Sequence, residues 1–329
     1  MGRHGGYAFI GIVSLLGLGF ADPAMAQQTV RVGHLFPTTH FEHLGLVKLA
    51  DLVAQKTGGK LKLEIFPASQ LGNEKEQTEQ VRSGALHMHS SGGSIQQYVP
   101  ELQMIGLPGL WKSHDHVFRV MTGDVGKPVI EMAEKKNVGI KVLTFTTTGE
   151  RQFMGRKKPV EQTADLAGLK IRVDTQPASA AIWRAVNANP VPIAFAEVYT
   201  ALQTGVIDAA ENPPCGGLAM KFYEQAKHIT LTSHQLTLHA LMVNQKWYDG
   251  LPAEVRGQLK AAVDEWLPAR YQMAKEAEQG CLTKMKELGA EVHALNDPDK
   301  FRSALAPIQK EFGDKYNLND LMTRIKAVN

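Results

Sequence analysis

The feature that most constrains the fold is an alternation of short strand-like and helix-like segments near the start of the chain. Residues 30–34 and 60–66 alternate apolar and polar side chains, which is typical of strands with one buried face. A helical pattern follows each of these strands, and residues 85–88 begin a third strand. This strand–helix–strand–helix–strand order predicts a parallel α/β unit.

The same order returns in the second half of the chain. Residues 169–173 alternate as a strand, and residues 178–186 and 197–204 have helical patterns. A short extended stretch at 191–193 separates the two helices, and another strand follows the helix-ending Gly205. The chain of 329 residues is also long enough for two domains of about 100–200 residues each. We therefore expect two α/β lobes.

Three segments are expected to connect these lobes. Residues 138–145 form a strand long enough to leave the first lobe and enter the second, and a second crossing is expected at 236–243. Apolar residues keep a helical period for about 35 residues, from Val255 to Leu288, which gives a helix of roughly 50 Å that should lie across both lobes. The predicted division is 27–148 and 238–278 for lobe I, and 149–237 and 279–329 for lobe II.

The N-terminus has the pattern of a cleavable secretory signal. Basic residues precede an apolar run over 7–21, and a small-residue sequence ends at Ala26. An apolar run of about 15 residues is shorter than the roughly 20 that a membrane-spanning helix needs, which argues against an uncleaved anchor. We predict that residues 1–26 are a signal peptide cleaved after Ala26, and that the mature protein is periplasmic.

Composition and motifs exclude several function classes. The 36 Lys and Arg residues nearly balance 33 Asp and Glu residues, and the net charge of +3 excludes a basic nucleic-acid surface. The chain has no Walker loop, no G-x-G-x-x-G after a strand, no H-E-x-x-H, no G-x-S-x-G and no C-x-x-C. We therefore predict neither a cofactor nor enzymatic activity.

The histidines give no clear sequence signal for a metal site. His34, His40 and His43 form one loose group, while His87 and His89 are two residues apart on a strand whose neighbours are not obvious metal ligands. We interpret these histidines as ordinary polar or core residues and predict no bound metal.

Two cysteines, Cys215 and Cys281, occur in a chain that is predicted to enter an oxidising compartment. A disulfide between them requires Cα atoms within about 7 Å, which spacing along the chain does not reveal. Because free cysteines are commonly buried, we expect two buried thiols, with a disulfide as the alternative.

Arg172 and Asn212 are the candidate ligand contacts that the strand pattern itself suggests. Arg172 lies near the carboxyl end of one strand, and Asn212 follows the strand that runs through 207–210. Ligands of open α/β sheets bind outside the carboxyl ends of strands, so both residues should face the cleft between the lobes. Arginine offers a planar fork for a carboxylate, and asparagine offers both a donor and an acceptor. The alternative is an ion pair of Arg172 with Asp174 or Glu211.

Several runs of residues resemble a known family. They are Gly168-Leu169-Lys170-Ile171-Arg172-Val173, Asn189-Pro190-Val191-Pro192, the stretch 197–208 and Glu211-Asn212-Pro213. Shorter matches are Gln70-Leu71-Gly72 with Glu74, Gly149-Glu150-Arg151, Lys221-Phe222-Tyr223-Glu224 and Val243-Asn244. In these runs the chain resembles the DctP-like solute-binding subunits of tripartite ATP-independent periplasmic (TRAP) transporters.

The resemblance implies a two-lobed periplasmic binding protein with a deep cleft and a long helix across both lobes. The cleft would close around a small organic acid, which is then delivered to the TRAP membrane permease subunits. The resemblance also implies that Arg172 is the main carboxylate clamp and that Asn212 is a second hydrogen-bond partner. Arg151 and Glu74 would be cleft-wall contacts from opposite lobes, and Glu74 would meet ligand hydroxyls.

Two departures from the family pattern affect the details. Glu150 stands where an apolar residue is common before the arginine, and residues 214–217 form an unusual wall of small residues after Asn212. Glu74 and histidines at the cleft edge, His34 among them, favour a hydroxylated, sugar-acid-like ligand. Simple C4-dicarboxylates and aromatic acids are the alternatives.

Three functions are compatible with these features. The leading one is a monomeric binding protein that does no chemistry on its ligand. An exported hydrolase would instead use Glu74 and a histidine from residues 36–43. A ligand-binding adaptor would present the same ligand to a sensor rather than to a transporter.

Overall fold

The structure is a computed structural model that describes residues 1–2 and 26–329. The apolar run of the predicted signal peptide lies outside these residues. Within them, every helix is too short or too polar to cross a bilayer.

The strands of the described residues form two sheets. In chain order they are β1 (Gln28–Gly33), β2 (Leu61–Phe66), β3 (Met88–Ser91), β4 (Ile140–Glu150), β5 (Gln152–Gly155), β6 (Lys170–Val173), β7 (Asn189–Pro192), β8 (Ala209–Asn212), β9 (His228–Leu231), β10 (Leu236–Asn244) and β11 (Glu291–Ala294). The first sheet has the order β2-β1-β3-β10-β4, and the second has the order β11-β9-β5-β8-β6-β7. We call the part built on the first sheet lobe I and the part built on the second sheet lobe II.

Helices cover the sheets and connect their strands. They are α1 (Phe41–Lys56), α2 (Glu74–Ser83), α3 (His114–Thr122), α4 (Lys127–Lys135), α5 (Pro177–Arg184), α6 (Val198–Thr204), α7 (Pro214–Ala219), α8 (Phe222–Gln225), α9 (Gln245–Gly250), α10 (Ala253–Glu287), α11 (Pro298–Tyr316) and α12 (Asn319–Ala327). Short 3₁₀ turns lie at Ser94–Gln97, Pro100–Gly106, Thr163–Leu166 and Phe195–Glu197. The predicted α/β class with two lobes and a long helix is confirmed.

Each lobe contains the parallel unit that the sequence pattern predicts. In lobe I, β1 pairs in parallel with β2 and β3. In lobe II, β6 pairs in parallel with β7 and β8. Antiparallel strands complete each sheet, because β10 lies between β3 and β4 while β5 lies between β8 and β9.

Two glycines end equivalent helices in the two lobes. Gly84 follows α2 with φ 89°, and Gly205 follows α6 with φ 82°. Both are in the left-handed region, where glycine avoids the steric cost of a Cβ, and each N–H bonds back to its helix. In lobe II the strand does not follow Gly205 directly as expected; β8 begins at Ala209, since the residues between them complete the turn from the helix.

The chain passes from one sheet to the other at Arg151. This residue lies between the end of β4 and the start of β5, and its N–H donates to Gln235 O at 2.8 Å. Gln235 immediately precedes β10, on the segment by which the chain returns to the first sheet. The two crossing segments therefore lie side by side and are hydrogen-bonded to each other.

The long helix α10 contacts both lobes. Trp266 Nε1 donates to Gly45 O at 2.7 Å, and the Tyr271 hydroxyl donates to Phe145 O at 2.8 Å, both in lobe I. Near the other end, Met285 is fully buried in an apolar cluster of lobe II that includes Ile229. A helix of 35 residues is about 50 Å long, which is enough to reach both cores.

The C-terminal helices add a second connection between the lobes. Helix α11 packs against α5 of lobe II and against the 3₁₀ turn Pro100–Gly106 of lobe I. Helix α12 continues toward lobe I, where Ile325 O is 3.0 Å from His116 Nε2. The end of the chain therefore packs against elements of both lobes.

The expectation of two buried thiols is wrong, because Cys215 and Cys281 form a disulfide with Cα atoms 5.0 Å apart. Helix α7, which carries Cys215, packs along α10, which carries Cys281. This packing brings the two Cα atoms within bonding range although they are 66 positions apart in sequence. The bond ties the segment after Asn212 to the long helix.

We predict that the double variant Cys215→Ser/Cys281→Ser unfolds at a temperature several degrees lower than the wild type. Closing a loop of this length removes roughly 4 kcal/mol of chain entropy from the unfolded state. Calorimetric scans with and without reductant measure the difference. Reductant should lower the melting temperature of the wild type only, and equal melting temperatures of wild type and variant without reductant would contradict the prediction.

Candidate ligand-binding site

A cavity lies between the two lobes and is lined by residues from both. Its empty volume, counting the part open to solvent, is about 510 Å³. Lobe I contributes Leu35, Phe36, His40, Glu74, Gly92, Thr148, Thr237 and His239. The crossing point and lobe II contribute Arg151, Arg172, Asp174, Gln176, Phe195, Asn212, Pro213 and Gly216.

Contacts between the lobes close over this cavity. The Phe36 ring of lobe I meets the Phe195 ring of lobe II edge-on, with centroids 5.4 Å apart. Gln96 Nε2 of lobe I donates to Gln176 Oε1 of lobe II at 2.6 Å. The structure therefore has the lobes in contact around the cavity, as in a closed binding protein.

Arg172 lies on β6, and the two terminal nitrogens of its guanidinium are available in the cavity. Its Nε donates to Ile193 O at 2.9 Å, which fixes the plane of the guanidinium. Across residues 26–329, neither terminal nitrogen of Arg172 has a hydrogen-bond or ion-pair partner. Burial lowers the pKa of this guanidinium, but arginine remains charged in proteins. The alternative ion pair of Arg172 with Asp174 or Glu211 is therefore not formed.

Arg151 also lines the cavity, but its charge is already paired. Its Nε and Nη2 donate to the two carboxylate oxygens of Glu211, the latter at 2.7 Å, and Nη1 donates to Thr237 Oγ1 at 3.2 Å. Burial alone would raise the pKa of Glu211, but Arg151 and His234 outweigh it and lower the pKa to about 2. Arg151 therefore neutralises a buried carboxylate and presents little free charge to a ligand.

Glu74 brings an acceptor to the cavity from lobe I. A capping box between Asn73 and Glu76 starts α2 at this residue, which fixes Glu74 in the first helical turn. Its Oε1 accepts hydrogen bonds from Ser91 Oγ, from Gly93 N at 2.8 Å and from Ser94 N at 3.3 Å. Burial would raise the pKa of Glu74, yet these hydrogen bonds hold it below its usual value. Glu74 is therefore an ionised acceptor.

Asn212 lies at the end of β8, and the small residues after it make room for its side chain. A Cβ on Gly216 would lie 2.1 Å from Asn212 Oδ1, so any larger residue at that position of α7 would displace the Asn212 side chain. The unusual run 214–217 thus allows the first turn of α7 to pack directly against Asn212. The side-chain amide of Asn212 lines the cavity. In the described part of the chain it makes no hydrogen bond with a protein group.

The structure brings Arg172, Asn212, Arg151 and Glu74 together at the cavity, but it does not bring His34 there. The His34 ring is fully buried, with Nε2 3.1 Å from His43 Nδ1 and with Nδ1 accepting from the Phe36 N–H. Burial lowers its pKa to about 4, so the ring is neutral at pH 7. His34 supports the loop that carries Phe36 rather than lining the cavity.

Two other histidines line the cavity instead. His40 stacks on Phe36 with centroids 3.9 Å apart, and His239 lies on β10. His40 Nε2 and His239 Nδ1 are buried without a hydrogen-bond partner in residues 26–329. Sequence reasoning did not select His239, although a histidine in the largely apolar crossing strand was a usable signal. Gln176 also lines the cavity, and the sequence around it carried no signal of this kind.

Comparison with known proteins identifies the family. The family described as bacterial extracellular solute-binding protein, family 7, matches residues 32–315. The chain belongs to this family. It is 34% identical over 287 residues to the 2,3-diketo-L-gulonate-binding periplasmic protein YiaO of Escherichia coli, covering 87% of each chain. It is 32% identical over 316 residues to the C4-dicarboxylate-binding periplasmic protein DctP of Rhodobacter capsulatus, covering 94% of this chain and 93% of that one.

A solved structure agrees with this assignment. The TRAP periplasmic solute-binding protein of Bradyrhizobium sp. BTAi1, in complex with α/β-D-galacturonate, superposes with a TM-score of 0.87 at 29% identity. The superposition covers 91% of this chain and 99% of that one. The resemblance inferred from the sequence is thereby confirmed, and the protein is an extracytoplasmic solute-binding protein of the TRAP type.

We predict that Glu211→Gln lowers the free energy of unfolding by about 3 kcal/mol at pH 7, because it leaves the buried Arg151 without its counter-ion. The wild-type contribution is present above the ordinary carboxyl pKa of 4.5 and is lost as the pH falls toward 2. The difference between variant and wild type should therefore shrink between these values. Urea unfolding at pH 7 and pH 3 measures it. The exposed Glu64→Gln is the control, and a difference that stays constant with pH would contradict the assignment.

Proposed function

We propose that this protein captures a hydroxylated organic acid of the sugar-acid type in the cavity and delivers it to a TRAP membrane transporter. The observation that carries the proposal is the state of the two buried arginines. Arg151 is paired with Glu211, whereas Arg172 points an unpaired fork into a closed cavity. A buried guanidinium without a counter-ion is costly, and a ligand carboxylate would supply that counter-ion with two parallel hydrogen bonds.

The opposite wall of the cavity favours hydroxyls over a second carboxylate. Glu74 is ionised and already accepts three hydrogen bonds through Oε1, so its free oxygen can only accept from a donor. A sugar acid held at Arg172 would present hydroxyl donors to Glu74 and Asn212. A dicarboxylate would instead bring a like charge toward Glu74. The relatives that bind 2,3-diketo-L-gulonate and galacturonate support this preference, while the C4-dicarboxylate-binding relative represents the competing class.

The proposed division of the chain keeps the boundaries expected from sequence. Lobe I comprises 27–148 and 238–278, and lobe II comprises 149–237 and 279–329, with closure about the crossing segments. The chain changes sheet at Arg151 and again before β10, within about two residues of the inner boundaries, which supports them approximately. Helices α11 and α12 contact both lobes and would move as part of the connection between them.

In this proposal residues 1–26 direct export, cleavage follows Ala26, and the mature monomer acts in the periplasm. It binds and releases its ligand unchanged and hands it to the TRAP membrane permease subunits. The extracytoplasmic family and the periplasmic relatives support this location.

The clamp is tested with Arg172→Lys, which keeps the charge and removes the fork. We expect the dissociation constant of the tightest ligand in a panel of D-galacturonate, D-glucuronate, 2,3-diketo-L-gulonate and succinate to rise by roughly 10- to 150-fold. The unfolding free energy without ligand should change little, since Arg172 has no protein counter-ion. Calorimetric titration and urea unfolding measure both. Arg184→Lys, at an exposed position of α5, is the control, and wild-type affinity in a folded Arg172→Lys variant would refute the clamp.

The specificity of the opposite wall is tested with Glu74→Gln. Removing the charge should weaken D-galacturonate binding by roughly tenfold, because hydrogen bonds to an ionised acceptor are stronger than those to an amide. Succinate binding should become tighter, since the like charge is gone. The ratio of the two dissociation constants is the measured quantity, with the exposed Glu64→Gln as the control. A ratio unchanged from wild type would mean that Glu74 does not select the ligand.

A further inference from the structure

One group of histidine and carboxylate side chains in the described residues lies outside the ligand cavity and has the composition of a metal site. It consists of His228, Glu291 and His293. Strand β11 pairs in parallel with β9 at the edge of the second sheet, with Glu291 opposite His228. His293 is two residues after Glu291, so it projects from the same face of the sheet. No residue of this group lines the ligand cavity.

The distances within this His-Glu-His group are close to those of a coordination sphere. Glu291 Oε2 lies 3.1 Å from His228 Nδ1 and 3.9 Å from His293 Nε2. Donor atoms bound to one tetrahedral zinc ion at about 2.0–2.1 Å are roughly 3.3–3.4 Å from one another. All three donor atoms lie within 4.8 Å of one another, so small rotations about the side-chain torsions would bring them to these distances.

Both imidazole nitrogens that face the carboxylate lack a hydrogen bond. His228 Nδ1 and His293 Nε2 are buried and have no hydrogen-bond partner in residues 26–329, and the His228 residue is only 8% exposed. Buried polar atoms normally have a partner, so two converging orphan nitrogens require an explanation. A metal ion accepts both lone pairs at once, which no single hydrogen bond within the group does.

The second oxygen of the carboxylate is held from outside. Lys227 Nζ donates to Glu291 Oε1 at 2.7 Å, which leaves Oε2 directed at the two histidines. Hydrogen bonds of this kind orient the ligands of known metal sites.

We propose that His228, Glu291 and His293 bind a zinc ion, with water in the remaining position. Two imidazoles and one carboxylate form a donor set that suits zinc, and the half-exposed Glu291 side chain leaves one side of the site open to solvent. The ion would fasten the edge strand β11, which is the first strand after the long helix, to its neighbour β9. Its role would be to stabilise the lobe II edge, separate from ligand binding.

The test uses tag-free mature chain that has been stripped with chelator and then titrated with zinc chloride in a calorimeter. We expect one zinc per chain, and a loss of affinity of at least roughly 100-fold in Glu291→Gln and in His293→Asn, because even groups that only support a ligand contribute 10- to 100-fold. Glu131→Gln, which removes an exposed carboxylate paired with Lys135, is the control and should bind zinc like the wild type.

Two further measurements keep the result interpretable. Glu291 is half-exposed, so its variant should retain the wild-type melting temperature without zinc and should carry the test if His293→Asn fails to fold. D-galacturonate should bind Glu291→Gln as it binds the wild type, which separates this site from the cavity. Absence of zinc binding by the wild type, or equal zinc affinity in the wild type and Glu291→Gln, would overturn the proposal.

Discussion

The buried ion pair between Arg151 and Glu211 fixes the place where the chain crosses between the two sheets, and the two-lobed structure depends on this crossing. Arg151 is the residue at which the chain leaves the first sheet, and Glu211 lies on β8 of the second. The same guanidinium donates to Thr237 on β10, where the chain has returned to the first sheet. One side chain therefore joins both crossing segments to lobe II. Buried ion pairs add little net stability over apolar packing, but removing one partner is costly, so the pair fixes geometry more than it stabilises the fold.

This pairing also decides which arginine is left for a ligand. Two guanidiniums lie in one buried cavity, and both pKa values respond to the carboxylates Asp174 and Glu211. Because Glu211 is within reach of Arg151 through two nitrogens, Arg172 stays without a partner. The residues that follow Arg172 take part in closure: Asp174 accepts from Gln176 N at 3.0 Å, and Gln176 accepts from Gln96 in lobe I. The unpaired cation and the closing contact thus lie on one short segment.

Much of this architecture was predictable from sequence because it depends on local patterns. Period-two alternation located β1, β2 and β6, and Gly84 and Gly205 marked helix ends that need a left-handed residue. The position of Arg172 near the carboxyl end of a strand indicated that it lines the cavity. What failed depends on distances between separate elements. Whether Cys215 meets Cys281 depends on how α7 packs on α10, and whether His34 or His239 faces the cavity depends on which face of each strand is turned inward. The pairing of His228 with Glu291 depends on the register of two distant strands.

The two walls of the cavity differ in charge, and under the proposed function this difference couples recognition to closure. Arg172 belongs to lobe II and Glu74 to lobe I, so a ligand has to satisfy an unpaired cation on one lobe and an ionised acceptor on the other. A ligand that binds only at Arg172 gains the ion pair but leaves Glu74 facing an empty or mismatched space, where a desolvated charge is unfavourable. In the proposed function, a molecule with an anionic end and donor groups at the right separation favours the closed state over the open one. In the proposed function, closure of the two lobes therefore selects the length and polarity of the ligand, and neither lobe does so alone.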